Sequence, residues 1–113
     1  MAISLEDLIA RSPANALGVV RGKDKDLENS DVKSADTLIK SGGGYVYWLT
    51  VSDSADLAIE LNDSLDNSGV DRWAFDLPAS GYAHFIFDPP IKFDTGIYLN
   101  VSTITCKVTI GYI

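Results

Sequence analysis

The chain has 113 residues, enough for one domain, and its 16 acidic against 9 basic residues give a formal charge of −7. That balance repels phosphate and lacks the Lys and Arg clusters that drive counterion release, so direct nucleic-acid binding is disfavoured as a function. No stretch approaches the ~20 apolar residues of a membrane span, and a single cysteine excludes both an intrachain disulfide and a thiolate zinc cluster.

In chain order, residues 1–34 read as an amino-terminal arm and residues 35–113 as a domain. The arm holds five basic and six acidic residues, a balance of −1, which leaves −6 on the body. Ile3-Ser4-Leu5-Glu6-Asp7-Leu8-Ile9 carries a helix-start signal. Ser4 can cap the amino end, Asp7 stands three residues on, and Ile3 and Leu8 are spaced as a hydrophobic staple. Ser12-Pro13 ends the element, because the residue before proline is pushed out of the helical region. The expectation is one short helix over about 4–11, too short to be stable without a surface to lie on. Leu17-Gly18-Val19-Val20 is briefly apolar, and Arg21 to Asp31 alternates charges without a hydrophobic period. Such a run reads as a solvated linker, the alternative being a segment that becomes extended on a partner. Ile3, Leu5, Leu8 and Ile9 are the arm's candidate apolar contacts, and Arg21, Lys23 and Lys25 its candidate ionic ones. The amino terminus has neither the basic region nor the long apolar run of a signal peptide, so the chain reads as made in a cytoplasm.

From Ala35 the pattern takes a period of two. Thr37 to Lys40 reads as a short strand, broken by Ser41-Gly42-Gly43-Gly44. Tyr45 to Val51 reads as a strong strand with Tyr45, Tyr47, Leu49 and Val51 on one face and Val46, Trp48 and Thr50 on the other. Leu57, Ile59 and Leu61 alternate in the next strand, Asn62 to Gly69 is a polar turn segment, and Trp73, Phe75 and Leu77 alternate up to Pro78. Tyr82 to Phe87 is apolar on both faces and reads as a central, doubly covered strand. Pro89-Pro90 cannot join a ladder and reads as a crossover. Ile91 to Phe93, Ile97 to Val101 and Ile104 to Ile110 complete seven or eight strands. No long amphipathic helix interrupts them, so the fold class is all-β: an antiparallel two-sheet sandwich of jelly-roll type.

Catalytic groups are scarce. His84, the only histidine, lies in register with Tyr82 and Ile86 and reads as a hydrogen-bonded structural residue. Cys106 falls in the apolar register of Val108 and Ile110 and reads as a buried thiol rather than a nucleophile. Asp53 with Asp56, and Asp63, Asp66 and Asp71, miss the spacing of a calcium loop and read as solvated turn residues. No catalytic residue, cofactor or metal is expected, and the chain reads as non-enzymatic. Tyr45, Trp48, Trp73 and Tyr98 are the candidate interface aromatics, since flat faces with polar edges suit sugar stacking and protein contact alike.

The stretches "ADTLIKSGGGYVYWLTV", "FDPPIKFDTGIYLNV" and "CKVTIGYI" resemble small phage virion proteins built as single jelly rolls, among them capsid decoration or cement proteins. The resemblance covers Ala35 to Ile113 and has no catalytic pattern to transfer. It implies a homotrimer or other symmetric assembly on the capsid exterior, with the major capsid protein as partner. A receptor- or carbohydrate-binding module of a phage fibre, or a neck or tail adaptor, are the alternatives the same layout allows.

Overall fold

The computed structural model describes residues 27–113. The expected helix over 4–11 and the arm contacts Ile3, Leu5, Leu8, Ile9, Arg21, Lys23 and Lys25 lie outside the described residues.

Eight strands follow one another: β1 (Glu28–Asn29), β2 (Thr37–Ser41), β3 (Gly44–Asp53), β4 (Leu57–Asp63), β5 (Val70–Leu77), β6 (Gly81–Phe93), β7 (Gly96–Val101) and β8 (Lys107–Tyr112). They form two antiparallel four-stranded sheets, ordered β1-β8-β3-β6 and β2-β7-β4-β5. One apolar cluster lies between the sheets. The first sheet contributes Val46, Leu49, Val51, Val108 and Ile110, and the second contributes Leu57, Ile59, Leu61, Leu77, Ile97 and Leu99. Phe93 and Cys106 complete it. Each fully buried aliphatic or phenyl side chain contributes ~1.5–3 kcal/mol. Among the described residues the interior is mostly hydrocarbon, with Asp53 and Asn62 as its buried polar side chains.

The period-two reading holds wherever pairing is regular, as at Leu57, Ile59 and Leu61, and fails at bulges. Val46 pairs with Tyr112 and Trp48 with Gly111, which leaves Tyr47 as one extra residue on β3. The slip turns Val46 inward beside Leu49 and Val51, so the expected grouping of Tyr45 and Tyr47 with Leu49 and Val51 is corrected. On the other side of β3, Val46 pairs with Ile91 and Trp48 with Ile86. Phe87, Asp88, Pro89 and Pro90 make the corresponding excursion on β6. The two prolines, which lack an N–H, thus fall where no ladder bond is required, and the strand runs on to Phe93 rather than crossing over.

Two further expectations are corrected. Tyr82 to Phe87 is not central: β6 is an edge strand with only β3 beside it. Ile104 does not begin the last strand but is 84% exposed in the loop before Lys107. The sheet also begins before Ala35. Glu28 and Asn29 pair with Tyr112 and Gly111, Ser30 N–H donates to the Ile110 carbonyl at 2.8 Å, and Lys33 and Val108 exchange backbone bonds at 2.8 and 2.9 Å. The end of the charged run is thus held against β8.

Candidate functional site

The outer face of the first sheet is assembled by cross-strand pairing of β3 with β6. The register sets Trp48 beside Ile86, Thr50 beside His84 and Ser52 beside Tyr82. Thr50 Oγ1 and His84 Nδ1 are hydrogen-bonded at 2.6 Å, and the His84 ring lies 6.0 Å from that of Trp48. On the other flank Trp48 faces Gly111 of β8. A Cβ at Gly111 would sit 2.0 Å from the indole Nε1, so the indole lies across this glycine and needs it to lack a side chain. Leu27, Trp48, His84, Ile86, Phe87 and Pro90 border an open groove of about 640 Å³ on this face.

Phe87 joins that groove to a second feature. Trp73 and Phe75 of β5 and Phe85 and Phe87 of β6 are half-buried and meet across the side of the sandwich where the two sheets present neighbouring edges. Trp73 meets Phe85 edge-on at 5.0 Å and Phe87 at 5.6 Å, while Phe75 meets Phe85 at 4.9 Å. Tilted ring pairs at these separations add ~0.5–1.5 kcal/mol each beyond burial. The rings close this side of the core yet keep part of their surface in water. On the outward face of the same strand, Tyr82 is 85% and Ile86 74% exposed.

Of the candidate interface aromatics, Trp48 therefore lies on the groove and Trp73 in the aromatic edge, and Phe87 touches both neighbourhoods. Tyr45 on β3 and Tyr98 on β7 are half-buried and belong to neither. Tyr82 and Ile86 are not among these four residues. Their signal was present in the two-faced apolarity of Tyr82 to Phe87, which reads equally as a strand covered on both sides. His84 is hydrogen-bonded, as its register implies, but on an exposed strand edge.

The carboxylates have structural work, which corrects the reading of Asp53 and Asp63 as solvated turn residues. Asp53 is 5% exposed and accepts from Ala55 N–H at 3.0 Å and from the Thr103 and Thr105 hydroxyls at 2.6 Å each. These bonds, the Ala55 one foremost, hold it below the usual carboxylate range. Asp63, with a side chain 5% exposed, accepts from Thr95 N–H at 2.7 Å, Asp94 N–H at 3.0 Å and Arg72 Nη2 at 2.8 Å. Burial alone would raise its pKa, but the bonds from Thr95, Arg72, Asp94 and Gly96 together outweigh burial and hold it far below. Burial pushes the Cys106 thiol up, away from the nucleophilic thiolate. Among the described residues no three His, Cys, Asp or Glu side chains are grouped to hold a metal ion.

What the arrangement offers is contact surface: an indole-floored groove, an adjoining aromatic edge and the stretch Gly81–Phe87 of β6, which carries no formal charge. No protein-family model, no curated protein and no solved structure matches this chain.

Proposed function

We propose that this chain is a non-enzymatic structural virion protein of the capsid decoration or cement type, reinforcing a phage head from outside. The observation that carries the reading is an interior packed with Leu, Ile and Val beneath an outer surface bearing exposed apolar side chains. Such a body acts by attachment. The strand orders β1-β8-β3-β6 and β2-β7-β4-β5 support a jelly-roll reading, a wrap used by capsid and lectin domains and by cupins. A filled core and engaged carboxylates favour the capsid use over a ligand-enclosing one, on fold-level analogy. In this reading Ile3, Leu5, Leu8 and Ile9 lay an apolar face on the major capsid protein, and Arg21, Lys23 and Lys25 pair with its acidic groups. Weak contacts repeated by a symmetric assembly of copies give avidity.

The test is copy number and position in purified virions, with binding of the full chain and of residues 27–113 to bare heads. Shell-wide copies and head binding that depends on residues 1–26 support the proposal. Copies confined to one vertex support a neck or tail adaptor instead, and undiminished binding by residues 27–113 overturns the role of the arm.

The second reading is a carbohydrate-binding module, favoured by the half-exposed indole of Trp48 beside Thr50, His84 and Asp88. It ranks lower because Thr50 and His84 bond each other and Leu27, Ile86, Phe87 and Pro90 supply no sugar-binding polarity. Glycan-array binding abolished by Trp48→Ala, without affinity for heads, would reverse the order.

A further inference from the structure

We infer that the Gly81–Phe87 edge of β6 is the surface through which a second copy of this chain joins, by antiparallel strand pairing about a two-fold axis. This rests on the self-association in the proposed function and names where it occurs. Four strands end the two sheets: β1, β2, β5 and β6. All four carry formal charge, with Glu28 on β1, Lys40 on β2, Asp71, Arg72 and Asp76 on β5, and Asp88 and Lys92 in the second half of β6. Charged side chains are a common protection of free edges against pairing. Gly81 to Phe87 has none, and it is also where apolar exposure is concentrated, at Tyr82 and Ile86.

The occupant follows from charge and register. Two copies at −7 each repel over most of their surfaces and approach at least cost where both are uncharged. An isologous contact places the same patch on both sides. Antiparallel pairing centred on position 84 sets Tyr82 of each copy opposite Ile86 of the other, so apolar meets apolar twice on the outer face. On the inner side the same register sets Phe85 opposite Ala83 and Phe87 opposite Gly81 of the other copy, with the half-buried Trp73 and Phe75 beside them. Together these side chains present at most roughly 500 Å² per copy, so they bury no more than about 1,000 Å² in the pair, and the strand backbone must supply the rest of a specific interface. Strand pairing adds backbone hydrogen bonds along an edge to which no second described strand is paired.

Sedimentation velocity on the full chain tests this without any particle. The expected result is a reversible dimer that Tyr82→Lys with Ile86→Lys weakens by about 30-fold or more, the scale of an interface hot spot, with unchanged circular dichroism and with the wild-type melting temperature at concentrations where both chains are monomeric. Ile104→Lys, at an equally exposed apolar position, should leave association unchanged. His84→Cys should form an intermolecular disulfide under mild oxidation, since the only other cysteine is buried. A monomeric wild type, a trimer, a dimer unaffected by the lysine pair, or failure of position 84 to cross-link would overturn the pairing. A full-length monomer that dimerises only as residues 27–113 would assign the edge to the arm and also overturn it. Head binding is read separately, so this inference and the proposed function can fail independently.

Discussion

Replacing Asp63 by alanine tests whether one carboxylate holds the corner of the second sheet. The side chain closes β4, and its acceptors reach the Asp94–Gly96 turn between β6 and β7 and Arg72 on β5. Arg72 reaches it because of a bulge: Leu61 pairs with Trp73 and Asn62 with Asp71, leaving Arg72 as the extra residue. The bonds from Thr95 and Asp94 are firm, and the one from Gly96, at 3.4 Å, is marginal. Hydrogen bonds to charged groups contribute ~1.5–3 kcal/mol each, so the two firm ones amount to about 4 kcal/mol. The exposed Arg72 adds little through a solvent-screened pair. A body of ~87 residues has roughly 4–13 kcal/mol of total stability, so the alanine variant should lose a large share of it.

Urea unfolding followed by tryptophan fluorescence should give a loss of ~3–4 kcal/mol for Asp63→Ala and about half that for Asp63→Asn, which keeps an acceptor but no charge. The pH dependence has a definite sign. The folded pKa lies below the unfolded value of ~3.9, so the contribution of Asp63 is complete above that value and is lost as pH falls through the folded pKa. Below pH ~4 the wild type should therefore lose stability more steeply than Asp63→Asn, by one proton's worth of slope. Asp53 and Asp66 are shifted in the same direction and leave the variant a residual slope. An alanine variant within ~1 kcal/mol of the parent, or an unchanged acid slope in the asparagine variant, would refute the latch.

Gly111→Ala should displace the Trp48 indole, cost ~1–3 kcal/mol as overpacking, and shift the tryptophan emission; unchanged emission would mean that the ring does not lie on Gly111. Cys106 should react with an aromatic disulfide reagent at least about 100-fold more slowly in the folded chain than in urea, and a fast native reaction would contradict its burial. A chain beginning at Leu27 should unfold cooperatively near the full-length midpoint. One beginning at Ala35 should be weaker by about 3 kcal/mol, since it lacks the four bonds that Ser30 and Lys33 make with Ile110 and Val108; equal midpoints would deny those bonds a role.

Much of the body was legible because a half-buried strand writes its burial as alternation, and Leu57, Ile59 and Leu61 or Val108 and Ile110 do so directly. Alternation stops being readable where pairing slips. Nothing in Tyr45-Val46-Tyr47-Trp48 marks Tyr47 as the extra residue, because its opposite is the excursion at Phe87 to Pro90, forty residues away. The roles of Asp53 and Asp63 were hidden for a related reason. Their partners, Thr103 and Thr105 for one and the Asp94–Gly96 turn for the other, lie thirty to fifty residues on, and a local reading of an Asp beside turn residues sees only its own loop.

The edge strand exposes a deeper ambiguity. A run such as Tyr82-Ala83-His84-Phe85-Ile86-Phe87 states that both faces resist water, and it leaves open which chain covers them. Within one chain the economical reading is a central strand, but the sheet places β6 at its border with Tyr82 and Ile86 outward. Polar substitution at these two positions would cost the monomer little, since neither packs in its core. Their apolar character is therefore unexplained by the stability of the single fold. It is explained if the cover comes from a second copy, whose identical run supplies Ile86 for Tyr82 and Tyr82 for Ile86.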